Sequence, residues 1–209
     1  MPTVSPRPRS KSDAEILAGA IRVIDRLGPA RLTLADVAKE TGMAPATLLQ
    51  RFGSKRGMLL AVISQGAASV HEEFARIRAA HRSALAALKG AADCMAQMAK
   101  TPEWLANHLA FLQIDLADPD FHRLSLEHAR QFRGEIRKLL EEGVRSGELR
   151  KCPTAKLANT IQAVIGGSLL NWAIHREGRA EDWVLADLDT VVSAYRRTRR
   201  VRRGPSRSR

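Results

Sequence analysis

Helix starts and stops recur along this chain, and between them apolar residues repeat every three or four positions, which commits the fold to helices. Ser12 with Glu15 forms a capping box ahead of Ile16, Leu17, Ala20, Ile24 and Leu27, and Gly28-Pro29 stops that first helix. Thr33 with Asp36 opens a second, leading into Leu34, Val37 and Ala38, and Gly42 ends it. A third begins at Pro45, whose fixed φ suits the first helical position, and runs through Leu48 and Leu49 to Phe52-Gly53. Ser54 caps a long fourth helix to about Ala80. Thr101-Pro102-Glu103 and Asp118-Pro119-Asp120 each place a cap before a proline and an acid. Gly147 and Pro153 bracket a later break, and two final helices follow at about 154–176 and 181–200, separated by Gly178. Alternating β-branched runs and internal repeats are absent. The expected fold is all-α: an N-terminal three-helix unit, a connecting helix and a larger helical body, about nine helices in total.

Charge is concentrated at the two ends. Lys and Arg number 34 against 22 acids, a net charge of +12 in 209 residues. Residues 1–12 carry Arg7, Arg9 and Lys11 with no acid, and residues 196–209 carry eight arginines, again with no acid. Residues 13–195 hold 23 basic and 22 acidic side chains, so the body is close to neutral. The expected organisation is a basic disordered arm (1–12), a three-helix unit (13–57), a helical body (58–198) and an Arg-rich tail (199–209). Basic ends attract polyanions without sequence preference, and they are also compatible with simple solubility. No run approaches ~18 apolar residues, and the N-terminus lacks the apolar stretch of a secretory signal. Cys94 and Cys152 match no metal or redox spacing and read as free thiols. These features predict a cytoplasmic protein with no membrane partner.

The stretch from Leu32 to Phe52 is the most informative. Two short helices are joined by a tight glycine-containing turn, and Leu34, Val37, Ala38, Leu48 and Phe52 face a shared core. This is a helix-turn-helix pattern. It turns Pro45, Ala46, Thr47, Gln50 and Arg51 outward, where a helix can enter the major groove of double-stranded DNA. Gln50 offers a donor and an acceptor suited to adenine, Arg51 suits guanine or phosphate, and the Thr47 methyl suits a thymine methyl. Beside it, Lys55 and Arg56 stand in the first turn of the fourth helix. The helix dipole disfavours each cation there by about 0.3–1 kcal/mol. A phosphate docked at that end reverses the balance, while plain surface charge is the alternative.

These residues resemble the TetR family of bacterial transcriptional regulators. The resemblance covers roughly residues 12–60 and is carried by Thr33, Val37-Ala38, Gly42, Thr47-Leu48, Phe52 and Ser54-Lys55 in that order. Gly143 to Arg150 is similar to the family's helix-seven ending. Two positions depart from the family: Ala44 stands where a Ser or Thr cap is usual, and Leu49 where an aromatic is usual. Both positions commonly touch the DNA backbone, so the resemblance implies that phosphate contact shifts to Thr33, Arg51, Lys55 and the arm residues Arg7, Arg9 and Lys11.

The resemblance also implies a homodimer built from the last two helices and an effector pocket in each body. Leu157, Ile161, Val164, Ile165, Ser168, Leu169 and Trp172 cover a wide face of one helix, and Gly166-Gly167 permits close approach. Trp183, Val184, Leu188, Val191, Val192 and Tyr195 form a stripe on the next. Burial inside one chain is the alternative for both faces. For the pocket, Met95, Met98, Trp104, His108, Phe111, Leu112, Phe121, Phe132 and Trp172 suit a small hydrophobic or amphipathic effector, with plain core packing as the alternative.

Enzymatic motifs are missing. The histidines show no His-x3-His spacing, and there is no Gly-rich phosphate loop, nucleophile elbow or zinc spacing, so no catalytic residue, metal or cofactor is expected. The expected function is a ligand-responsive DNA-binding repressor acting as a homodimer on a palindromic operator. The alternative is an all-helical small-molecule-binding enzyme or sequestering protein with incidental basic ends.

Overall fold

The computed structural model describes residues 11–197. Among the described residues there are nine helices: α1 (Asp13–Arg31), α2 (Leu34–Thr41), α3 (Pro45–Phe52), α4 (Lys55–Ala80), α5 (Ala84–Met98), α6 (Pro102–Ala117), α7 (Pro119–Arg145), α8 (Thr154–His175) and α9 (Ala180–Ser193). Pairing outside helices is confined, among these residues, to one antiparallel bridge between Leu149 and Arg196. No described helix is long and apolar enough to cross a membrane. The expected disorder of the N-terminal arm and the tail falls largely outside the described residues, as do Arg7 and Arg9.

Local chemistry sets the helix starts. Ser12 Oγ accepts from Glu15 N–H while the Glu15 carboxylate accepts from Ser12 N–H, and Thr33 and Asp36 repeat this exchange at α2. Thr101 Oγ accepts from Trp104 N–H, and Asp118 Oδ1 accepts from Asp120 N–H. Two ends differ from the sequence expectation. Gly28 breaks α1 with a left-handed φ of 72°, yet the helix resumes and continues to Arg31. The last helix stops at Ser193 instead of continuing to about residue 200, because the backbone turns to pair elsewhere. Arg150 N–H donates to the Tyr195 carbonyl at 2.8 Å, and Arg197 N–H donates to the Glu148 carbonyl at 3.1 Å.

The chain divides into two compact units. One takes in the chain through Glu72 together with Ala99–Phe132, and the other takes in Glu73–Met98 and the chain from Arg133 onward. Residue 57, expected as a boundary, lies in the first turn of α4, and the first compact unit continues to Glu72. The reason is hydrophobic: Phe121, at the start of α7, is 2% exposed and shares a core with Ile16, Ile24, Val37, Leu48 and Met58.

In the second unit α9 packs on α8 and α5. Leu157, Ile161, Ile165, Leu169, Leu188 and Val192, expected as subunit contacts, are buried within this one chain. Val164, Trp183, Val191 and Tyr195 are half-buried. A helix apolar on nearly all sides serves its own core first. What α8 leaves exposed is a second set at helical spacing: Ala163, Gly166, Gly167, Leu170 and Ile174. Two indoles close the α8–α9 turn, with Trp172 Nε1 donating to the Gly178 carbonyl at 3.3 Å and Trp183 Nε1 to the Glu177 carbonyl at 2.9 Å.

Candidate nucleic-acid interface

The three N-terminal helices form around residues that cannot face water. Val37, Ala38 and Leu48 are buried against Ile16, Leu17, Ala20, Val23 and Ile24, and Phe52 and Met43 pack at the margin. Gly19 lets α1 and α2 approach closely: a Cβ there would lie 2.3 Å from Thr41 Cγ2. Thr41 is buried, its hydroxyl donating to the Val37 carbonyl at 2.7 Å. The turn to α3 passes through Gly42 at a φ of 66°, left-handed backbone that glycine adopts without strain. Met43 N–H closes it on the Ala38 carbonyl at 2.9 Å.

This packing holds α3 with one face outward. Pro45, Ala46 and Gln50 are exposed, Thr47 is half-buried, and Leu49 is 53% exposed. Ala44 makes no side-chain cap, and Pro45 occupies the first turn, where its missing N–H costs no helical bond.

The expected phosphate ligands are arranged differently. Thr33 is exposed, but its hydroxyl donates to Asp36 Oδ2 at 2.6 Å and accepts from Asp36 N–H at 3.1 Å. The Thr33 hydroxyl and N–H hold the Asp36 carboxyl below its ordinary range. Lys55 Nζ donates to the Ala30 carbonyl at 2.6 Å, and Lys11 Nζ to the Thr41 carbonyl. Arg51 donates to the Lys11 carbonyl at 2.6 Å and lies 3.1 Å from Asp13. Arg56 is held by Asp118 at 2.8 Å and Asp120 at 2.7 Å, with its guanidinium 5.6 Å from the Phe121 ring centre. Within the chain, Lys55 thus meets a backbone carbonyl and Arg56 two carboxylates.

Sequence reading missed the attachment of α6 to α1. The Asp25 carbonyl would ordinarily accept from the residue four positions on, but that residue is Pro29, which has no N–H. Asn107 Nδ2 supplies the donor at 2.9 Å. Gly28 makes the approach possible, since a Cβ there would lie 3.0 Å from Asn107 Oδ1. His108 Nε2 adds a 3.3 Å contact with Asp25 Oδ1. The Gly-Pro pair was the available signal, but nothing near it in sequence points to Asn107.

Residues expected around an effector are distributed as follows. Phe111 and Phe121 pack with the helix-turn-helix core, Trp104 stacks on His108 with ring centres 3.6 Å apart, and Phe132 is buried. Leu112 is exposed. Met95, Met98 and Trp172 belong to the second unit; Met98 is exposed and Trp172 closes the α8–α9 turn. His108 is thus engaged with α1, and Phe121 is core, because the start of α7 packs on the three N-terminal helices.

Residues 16–62 match the family model described as bacterial regulatory proteins, tetR family, and residues 91–195 match that of the BetI-type transcriptional repressor, C-terminal. The chain belongs to the TetR family. This TetR-family regulator is 26% identical to the HTH-type transcriptional repressor AcnR of Corynebacterium diphtheriae, over 94% of this chain and 97% of the relative. It is 28% identical to the HTH-type transcriptional regulator BetI of Agrobacterium fabrum, over 93% of this chain and 90% of the relative. Its fold matches a TetR transcription regulator from Haloarcula marismortui with a TM-score of 0.76 at 14% identity, covering 88% of this chain and 98% of that one. As a TetR-family member it is a helix-turn-helix transcriptional regulator, and α3 stands in the place of the recognition helix.

Proposed function

We propose that this regulator is an effector-responsive repressor that binds a palindromic DNA operator as a homodimer. The observation that carries the reading is the exposed row Pro45, Ala46 and Gln50, with half-buried Thr47, on a helix anchored by buried Leu48. A polar, slightly raised helix of this kind suits the major groove, Gln50 reading a base edge and Thr47 meeting a thymine methyl or a phosphate. Two copies related by a two-fold axis place their recognition helices about 34 Å apart, one turn of DNA.

The dimer uses the outer face of α8, where Leu170 is 45% and Ile174 67% exposed beside Ala163, Gly166 and Gly167. Small residues there let a partner helix approach, and the two large apolar side chains lose water on pairing. A small hydrophobic or amphipathic effector acts by binding the state with low operator affinity better than the other. Movement of α6 and the start of α7 reaches α4 and α1 through Arg56, Asn107 and His108. The protein works in the cytoplasm, where its DNA lies.

Selection of bound duplexes from a random pool tests the core of this reading. A two-fold symmetric consensus is expected, with Gln50→Ala and Thr47→Ala each relaxing base preference within the half-site. Variants that keep the wild-type preference would remove α3 from direct readout. Sedimentation of Ile174→Glu tests the dimer: monomers are expected, and an unchanged dimer places the interface elsewhere.

A further inference from the structure

Leu48 and Leu49 are neighbours on α3 with opposite surroundings. Leu48 is 0% exposed and anchors the helix, whereas Leu49 is 53% exposed. A single exposed leucine is ordinary on a protein surface. This one is not isolated: Pro45, Ala46, Leu49 and Gln50 are all exposed, and helical spacing sets them on one side of α3. That outward side has two halves. Gln50 and half-buried Thr47 supply its polar atoms, while Pro45, Ala46 and Leu49 present only carbon. Arg51 stands about half a turn from Leu49. There Nη1 donates to the Lys11 carbonyl at 2.6 Å and lies 3.1 Å from Asp13 Oδ1, so the guanidinium is engaged away from the apolar half.

We propose that Leu49 is a specificity-determining residue that reads the C5-methyl group of a thymine in the major groove. The apolar half of α3 offers neither donor nor acceptor. Set against a purine it would cover the N7 acceptor, and set against cytosine the amino group, with no hydrogen bond given in return. Thymine is the base that carries a methyl group on this edge, and its contact with leucine takes apolar surface out of water on both sides. Pro45 and Ala46 flank Leu49 and extend the same apolar surface. The patch is continuous with Gln50 and Thr47, so one approach of α3 to the groove brings both halves to base edges. This role for Leu49 rests on the operator-binding reading above.

A cycle between protein and DNA methyl groups tests it. In the duplex selected from a random pool, each thymine of the half-site is replaced in turn by uracil, which lacks the C5-methyl and keeps the pairing edge. The full chain is expected to lose about fourfold in affinity per half-site at one such thymine, the worth of one buried methyl group. Leu49→Ala is expected to bind the thymine duplex more weakly and to bind thymine and uracil equally at that position. Thr47→Ala is expected to keep the uracil penalty there. Alanine is a strong helix former and Leu49 carries no charge. The thermal midpoint and the affinity for an unrelated duplex are therefore expected to stay those of the full chain, which separates lost reading from lost folding. A full chain indifferent to uracil at every thymine, or a uracil penalty undiminished in Leu49→Ala, would overturn the role given to Leu49. A full chain that selects no site overturns the operator reading as well, whereas a selected site blind to the methyl group overturns the role of Leu49 alone.

Discussion

Arg56 in the first turn of α4 grips Asp118 at the α6–α7 junction through two parallel hydrogen bonds, Nε to Oδ2 at 2.9 Å and Nη2 to Oδ1 at 2.8 Å. Partial burial pushes the Asp118 carboxyl up, but hydrogen bonds from Arg56 and from the N–H groups of Asp120 and Phe121 outweigh it and leave it below its ordinary range. Fork-to-carboxylate geometry is specific to arginine. Arg56→Lys is therefore expected to lower the thermal midpoint nearly as far as Arg56→Ala. In a cycle with Asp118→Asn the two losses are expected to be less than additive; full additivity would deny the pairing.

The amide of Asn107 completes a helix from which Pro29 withholds a donor. Asn107→Leu leaves the Asp25 carbonyl without a partner and is expected to cost about 1–2 kcal/mol in urea unfolding. Asn107→Asp sets a carboxylate against that carbonyl and is expected to cost more at neutral pH, with part of the loss recovered on acidification. Equal losses at both pH values would mean that the amide donor is not what matters.

At Gly19 two effects oppose each other. Alanine gains roughly 1 kcal/mol of helix propensity. It also sets a Cβ 2.3 Å from Thr41 Cγ2, overpacking that costs about 1–3 kcal/mol in a well-filled site. Gly19→Ala is expected to destabilise the wild-type chain. Thr41→Ser deletes the offending methyl while keeping the hydroxyl, and in that background Gly19→Ala is expected to become neutral or stabilising. A penalty unchanged in the Thr41→Ser background would point to the backbone instead.

Burial pushes the His128 imidazole below its ordinary value of 6.5. The unfolded chain then binds a proton that the folded chain resists, so this group removes stability as pH falls below about 6.5, until the folded form also protonates. The drop in denaturation midpoint between pH 7.5 and 5.5 is expected to be smaller in His128→Leu than in the wild type. Parallel pH profiles would exclude His128 as a source of acid sensitivity.

What could be read in the sequence was what is local. The caps at Ser12, Thr33 and Thr101 act within three residues, and each starts a helix where expected. The three helices around Leu48 follow from a short apolar pattern, and so does the outward row Pro45, Ala46 and Gln50. The partners of the basic residues follow no such pattern. Arg51, Lys55 and Arg56 meet acceptors 40, 25 and 62 positions away, and tertiary packing alone decides which acceptors those are. Six of the expected subunit contacts, Ile161 and Leu169 among them, are buried within the chain for a related reason. Periodicity marks Ile161 and Leu169 as apolar-facing, but it does not say whether the facing surface belongs to the same chain.

The core position of Phe121 bears on how the molecule can be taken apart. A fragment ending after α4 keeps every residue of the helix-turn-helix but leaves a phenylalanine-sized hollow in their shared core, strips the two carboxylates from Arg56 and orphans the carbonyl above Pro29. The DNA reader is thus not a detachable module at the head of the chain. It is finished by sequence that arrives only after α5 has been made, so a ribosome must release more than half of the polypeptide before the part that meets DNA is whole.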